Sequence, residues 1–138
     1  MLHYDSTYTK IGDVARVMRG HVEIAGVRAN HHKYVEKPGL WYKKARLFVE
    51  TNQIKPGSRV FDIGPGAGYF LYILKTELGC DVSGVDRPFP FFSPCRELLG
   101  IDSVVVERIH RRSPIKALNG LYDYITAFGA CFDCSLLE

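Results

Sequence analysis

Apolar and polar positions along the chain fall into runs of two kinds. Arg59-Val60-Phe61-Asp62-Ile63, Asp81-Val82-Ser83-Gly84-Val85-Asp86, Ser103-Val104-Val105-Val106 and Tyr122-Asp123-Tyr124-Ile125-Thr126-Ala127-Phe128 are short and read as strands, the first of them buried. Tyr69–Leu78 instead reads as a helix that stops at Gly79, and a shorter helix is expected over Cys95–Leu99, delayed by Pro88, Pro90 and Pro94 and ended by Gly100. Upstream, Leu40, Trp41, Ala45, Phe48 and Val49 fall near one helical face, with Asn52–Gly57 closing that helix at Pro56-Gly57. Residues 1–38 carry weaker periodicity and scattered glycines; a helix around Asp13–Arg19 is the one element they suggest.

Strands alternating with helices over short connections predict an α/β fold built on a parallel sheet, with helices on both faces. The third crossover has to come from Glu107–Gly120, where Pro114 makes it short or irregular. The chain divides accordingly into an N-terminal segment, 1–38, and an α/β part, 39–138.

Composition narrows the class without choosing a function. The 138 residues suit one compact domain, and 46% hydrophobic with 24% charged residues is ordinary for a globular protein with a core. The start lacks the basic-then-apolar pattern of a secretory signal and no apolar run is long enough to span a bilayer, so a cytoplasmic location with free thiols is expected. Cys131 and Cys134 form a C-x-x-C, but no second ligand pair accompanies them and no metal site is expected. The net charge is only +3, yet Arg16, Arg19, Arg28, Lys33, Lys37, Lys43, Lys44 and Arg46 crowd the segment before the first strand. A solvated face is the favoured reading; a nucleic-acid surface, with Tyr34, Trp41 and Tyr42 interleaved, is the sharper alternative.

The chemistry concentrates at Asp62-Ile63-Gly64-Pro65-Gly66-Ala67-Gly68, where a strand ends in a glycine loop and a helix opens. Such a loop brings a ligand close to backbone N–H groups. No Lys-Ser or Lys-Thr follows the glycines, which excludes a P-loop, and the third glycine of a dinucleotide G-x-G-x-x-G is replaced by Tyr69. The leading Asp62 would repel a pyrophosphate but stabilise an ammonium group. S-adenosylmethionine, cationic and free of phosphate, fits that pattern. Asp86, at the end of the second strand, is in register to accept hydrogen bonds from ribose hydroxyls, a role it would play equally in a dinucleotide fold.

Through these residues the sequence resembles the N-terminal part of the class I, Rossmann-like S-adenosylmethionine-dependent methyltransferase family. Val60–Gly68 matches its first motif, Gly84-Val85-Asp86 its second, and Tyr122–Phe128 its fourth strand, so the likeness covers roughly residues 40 to 132. The resemblance implies methyl transfer to an acceptor that the sequence does not identify. It implies a cofactor site made of Asp62, Ile63, Gly64, Pro65, Gly66, Gly68, Asp86, Arg87, Glu107 and Arg108. The last two stand where the family places an adenine contact, although Arg108–Arg112 depart from its usual acidic-plus-small pair. The alternatives are a nicotinamide-dependent oxidoreductase domain and a non-catalytic nucleic-acid-binding module.

The family sheet has seven strands, so a chain ending at Glu138 is expected to be truncated after about the fourth strand. The edge so exposed is then expected to promote self-association. Candidate general bases are His110, Glu107 and Asp133, with His31 and His32 from the N-terminal segment; for each, an ordinary polar surface role is favoured. Adjacent His31 and His32 point apart and make a poor metal pair. Phe128 is expected in the core or beside the cofactor.

Overall fold

A computed structural model describes residues 2–25, 33–89, 91–110 and 112–128. Along the chain run α1 (Leu2–Ala25), α2 (Lys33–Glu36), α3 (Pro38–Thr51), β1 (Arg59–Ile63), α4 (Tyr69–Leu78), β2 (Asp81–Asp86), α5 (Phe92–Leu98), β3 (Val104–Val106) and β4 (Tyr124–Thr126). The four strands form one parallel sheet in the order β3-β2-β1-β4, which is the Rossmann-like order.

This order follows from handedness. From β1 through β2 to β3 the chain steps steadily to one side, so right-handed crossovers put α4 and α5 on the same face. That face holds the main core, where Val60 and Val82 meet Leu71, Leu74, Cys95 and Leu99. The return to β4, on the other side of β1, reverses the face. Its connection holds no helix among the described residues, as Pro114 implied, and Tyr122 packs its ring against Phe61, 5.2 Å between centroids.

The N-terminal segment departs from expectation. Instead of one short helix at Asp13–Arg19, α1 runs for 24 residues. Thr7, Ile11, Val14, Ala15 and Met18 form its buried stripe at helical spacing. Gly12 and Gly20 lower helix propensity by about 1 kcal/mol each, but both sit in open space, and packing against α3, α4 and α5 outweighs that cost. In α3 the fully buried residues are Tyr42 and Ala45, while Leu40 is exposed. The reason is polar: the Tyr42 hydroxyl donates to Glu77 Oε1 at 2.5 Å, and Arg46 donates to Glu77 Oε2 at 2.6 Å. One carboxylate of α4 thereby holds two side chains of α3. Burial, reinforced by the Glu77 hydrogen bond, raises the Tyr42 pKa and keeps the hydroxyl a donor.

No described helix is long and apolar enough to cross a membrane. Cys80 and Cys95 are buried free thiols, and burial pushes the Cys95 thiol up to about 12. Cys131 and Cys134 lie outside the described residues.

Candidate functional site

The loop joins β1 to α4 at the carboxyl end of the sheet, beside the reversal point between β1 and β4, where open α/β sheets bind ligands. The Gly64 N–H continues the ladder to the Val85 carbonyl at 2.8 Å. Gly64, Gly66 and Gly68 then take positive φ values of 75°, 58° and 88°, so the backbone reverses within five residues and delivers the chain into Tyr69. Beneath the turn, a methyl group at Gly84 would overlap the Asp62 carbonyl oxygen, and the Pro65 ring packs over the same glycine. The second motif glycine therefore lets two parallel strands and the loop close on one another.

Asp62 is wholly buried. Its Oδ1 accepts the Thr126 hydroxyl at 2.7 Å and the Phe128 N–H at 3.3 Å, both from the β4 end. Its Oδ2 is buried with no hydrogen-bond partner among the described residues. Burial raises the carboxyl to about 6, against the lowering by Thr126 and by the backbone N–H groups of Phe128 and Ile63, with the Asp86 charge pushing the same way as burial. Burial thus opposes the charge on this group, whose Oδ2 is an acceptor without a partner among the described residues.

Asp86 is also buried but fully engaged. Its Oδ2 accepts the Gly66 N–H at 2.8 Å and Arg96 Nη1 at 3.3 Å, and its Oδ1 accepts the Arg87 N–H at 2.8 Å. Arg96 comes from α5, is 3% exposed, and donates from Nη1 to the Gly66 carbonyl at 2.7 Å and from Nη2 to Ser93 at 3.2 Å. Sequence reasoning missed it, although a signal existed. Phe92, Cys95, Arg96 and Leu99 are spaced as one apolar helix face, and an arginine in such a stripe calls for a buried acid.

The remaining predicted positions spread around this centre. Ile63 is half-buried and Pro65 buried; the Arg87 side chain is exposed, its guanidinium 5.9 Å from the Phe89 ring centre. Glu107 is half-buried and its N–H bonds the Asp86 carbonyl, whereas Arg108 and His110 are exposed. Asp133, His31 and His32 lie outside the described residues, and the described residues contain no cluster of metal-ligating side chains.

Aromatic rings roof the loop. Tyr34, Trp41, Phe70 and Phe128 line a cleft whose floor is Gly64–Tyr69. Tyr34 stacks on Trp41 at 4.9 Å and meets Phe92 edge-on, and the buried Tyr69 hydroxyl donates to the Tyr34 carbonyl at 2.8 Å. The cleft measures about 20 Å³, space for a water molecule. Several basic residues nearby are already engaged: Arg16 with Asp13, Arg19 with the Val35 carbonyl, Arg46 with Glu77, and Lys44 over the Trp41 ring.

No protein-family model matches the chain, and no curated protein matches it. Solved structures are similar to part of it. One is YjhP from E. coli, 24% identical over 64% of this chain and 36% of that chain, with a TM-score of 0.48. Another is a SAM-dependent methyltransferase from Geobacter sulfurreducens in complex with S-adenosyl-L-homocysteine, 26% identical over 47% of this chain and 28% of that chain, with a TM-score of 0.38. The matches thus span about a third of the length of either structure.

Proposed function

We propose that this chain carries the cofactor-binding part of an S-adenosylmethionine-dependent methyltransferase. The observation that carries the reading is Asp62 Oδ2, a buried carboxylate oxygen without a protein donor among the described residues, at the root of a left-handed glycine loop. Burying such a charge is costly unless something positive completes it. A phosphate-bearing dinucleotide would add a second negative charge there. The α-ammonium group of S-adenosylmethionine would supply the missing donor and the opposite charge.

When bound, S-adenosylmethionine supplies a methyl group on a sulfonium, an electrophile with a good leaving group. The residues present contribute placement and dryness. Asp62 orients the amino-acid end of the cofactor, the glycine loop allows close backbone approach, and Tyr34, Trp41 and Phe128 shield the cleft from water. Tyr69 fills the position where a dinucleotide fold needs its third glycine, which argues further against a nicotinamide cofactor.

Calorimetric titration of the folded full chain with S-adenosylhomocysteine, and in parallel with NADH, tests this reading. Heat with the first and none with the second supports it. No heat with S-adenosylhomocysteine, or binding of NADH alone, overturns it.

A further inference from the structure

We infer that Arg96 is a positioning residue for the glycine loop: together with Asp86 it clamps both peptide groups of Gly66 and so fixes the loop in its ligand-receiving shape. The N–H of Gly66 goes to Asp86 Oδ2 and its carbonyl accepts from Arg96 Nη1, while Nη1 also reaches Asp86 Oδ2. The two dihedrals between those peptide groups are then held from both sides, at the left-handed φ of 58°. The stem of Arg96 completes the contact, since a methyl group at Gly68 would stand 2.8 Å from Arg96 Cγ. The side chain lies along the loop from Gly68 to Gly66. The Cβ position of Gly66 likewise faces the Phe92 ring at 3.5 Å. Gly68, which the spacing assigns to ligand approach, is therefore also required by the packing of α5, whereas Gly66 is required by its left-handed φ.

The arrangement divides the labour between the two buried acids. Asp86 is paired with a guanidinium and accepts a backbone N–H on each oxygen, so its charge is balanced within the protein. Among the described residues Asp62 has no such cation, and its Oδ2 has no hydrogen-bond partner. Arg96 thereby leaves Asp62 as the acid that selects a cationic ligand, without touching that ligand itself. What the loop receives rests on the cofactor reading above; the clamp itself does not.

The test uses the nitrogen-15-labelled full chain and the variants Arg96→Lys, Arg96→Met and Asp86→Asn. Hydrogen exchange at the Gly66 amide needs no ligand. It should accelerate about tenfold or more in Arg96→Met and Asp86→Asn, while amides of β1 and β2 keep their protection. Lysine, a point charge without the planar fork, should restore that protection only in part. Unchanged Gly66 exchange in a folded variant overturns the clamp, as does a uniform acceleration across the sheet, which would make Arg96 a general stability residue. If Arg96→Met does not fold, Arg96→Lys and Asp86→Asn decide the matter by the same measurement.

Titration with S-adenosylhomocysteine is the second readout. Affinity about tenfold weaker in folded Arg96→Lys supports the inference. Unchanged affinity overturns it and leaves the cofactor reading standing. If the wild-type chain does not bind, the cofactor reading fails, and Gly66 exchange alone judges the clamp.

Discussion

The Thr126 hydroxyl donates to Asp62 Oδ1 at 2.7 Å across the paired strands β4 and β1, in which the two residues are register partners. That bond leaves the second carboxylate oxygen buried and open, and it ties the geometry of the loop to the last described strand. A carboxylate half-satisfied in this way costs stability in the absence of a ligand and gains it when a cation arrives.

Asp62→Asn is therefore expected to separate stability from binding. The folded carboxyl is raised from 3.8 to about 6, so it holds its proton more tightly folded than unfolded. Between those values the folded state binds the extra proton, and stability from this group is lost as pH rises through the window. Relative to the variant, the wild-type chain should lose on the order of 2–3 kcal/mol between acid and neutral pH. Denaturant unfolding of both proteins across that range measures it; parallel pH profiles would sink the buried-charge account.

Binding should move in the opposite direction. The ionised carboxylate is what a cation requires, so S-adenosylhomocysteine affinity of the wild-type chain should fall as pH drops below about 6. Asp62→Asn should bind at least about tenfold more weakly at neutral pH. Calorimetry at several pH values checks both, and a variant that binds as well as wild type removes Asp62 from the ligand's partners.

Gly84→Ala tests the closeness of β1 and β2. Its methyl group would overlap a backbone oxygen, that of Asp62, which no rotamer change can move aside. The expected loss is roughly 1–3 kcal/mol or more, as for other overpacked sites. Thermal unfolding measures it, and a variant as stable as wild type would show that the strands have room to separate.

Glu77→Ala should uncouple α3 from α4. It removes the acceptor of two donors at once and leaves the fully buried Tyr42 hydroxyl without it. A loss of about 1–3 kcal/mol is expected. Tyr42→Phe, which deletes the donor along with its need, should cost less. The reverse ranking in denaturant unfolding would mean that Glu77 contributes little through Tyr42.

Trp41 is the chain's single tryptophan and lines the cleft above the loop. The cofactor proposed for the loop would lie against the stacked pair of Tyr34 and Trp41, which line the same cleft. Tryptophan emission should shift as S-adenosylhomocysteine is added, and the midpoint should agree with calorimetry. Calorimetric binding with unchanged emission would place the ligand elsewhere.

Much of the α/β part is legible in residue order alone. Arg59–Ile63 and Asp81–Asp86 are strands over the same bounds that their apolar runs indicate, and α4 ends where Gly79 caps it. The helix α1 was far less legible. Gly12 and Gly20 interrupt its local preference, and only neighbours from α3, α4 and α5 repay its buried stripe. Tyr42 was hidden for a related reason: its burial depends on a carboxylate 35 residues away.

At the site the division is sharper. The glycine spacing, the acid in front of it and the acid ending the second strand can all be read from residue order, because they are consequences of short-range order. The surroundings of each acid are set by the fold. Asp62 and Asp86 stand at matching places in their strands, yet one meets Thr126 and keeps an open oxygen, while the other meets Arg96 and is satisfied. Charge compensation in a buried site depends on which distant side chains converge there, and no local pattern records that.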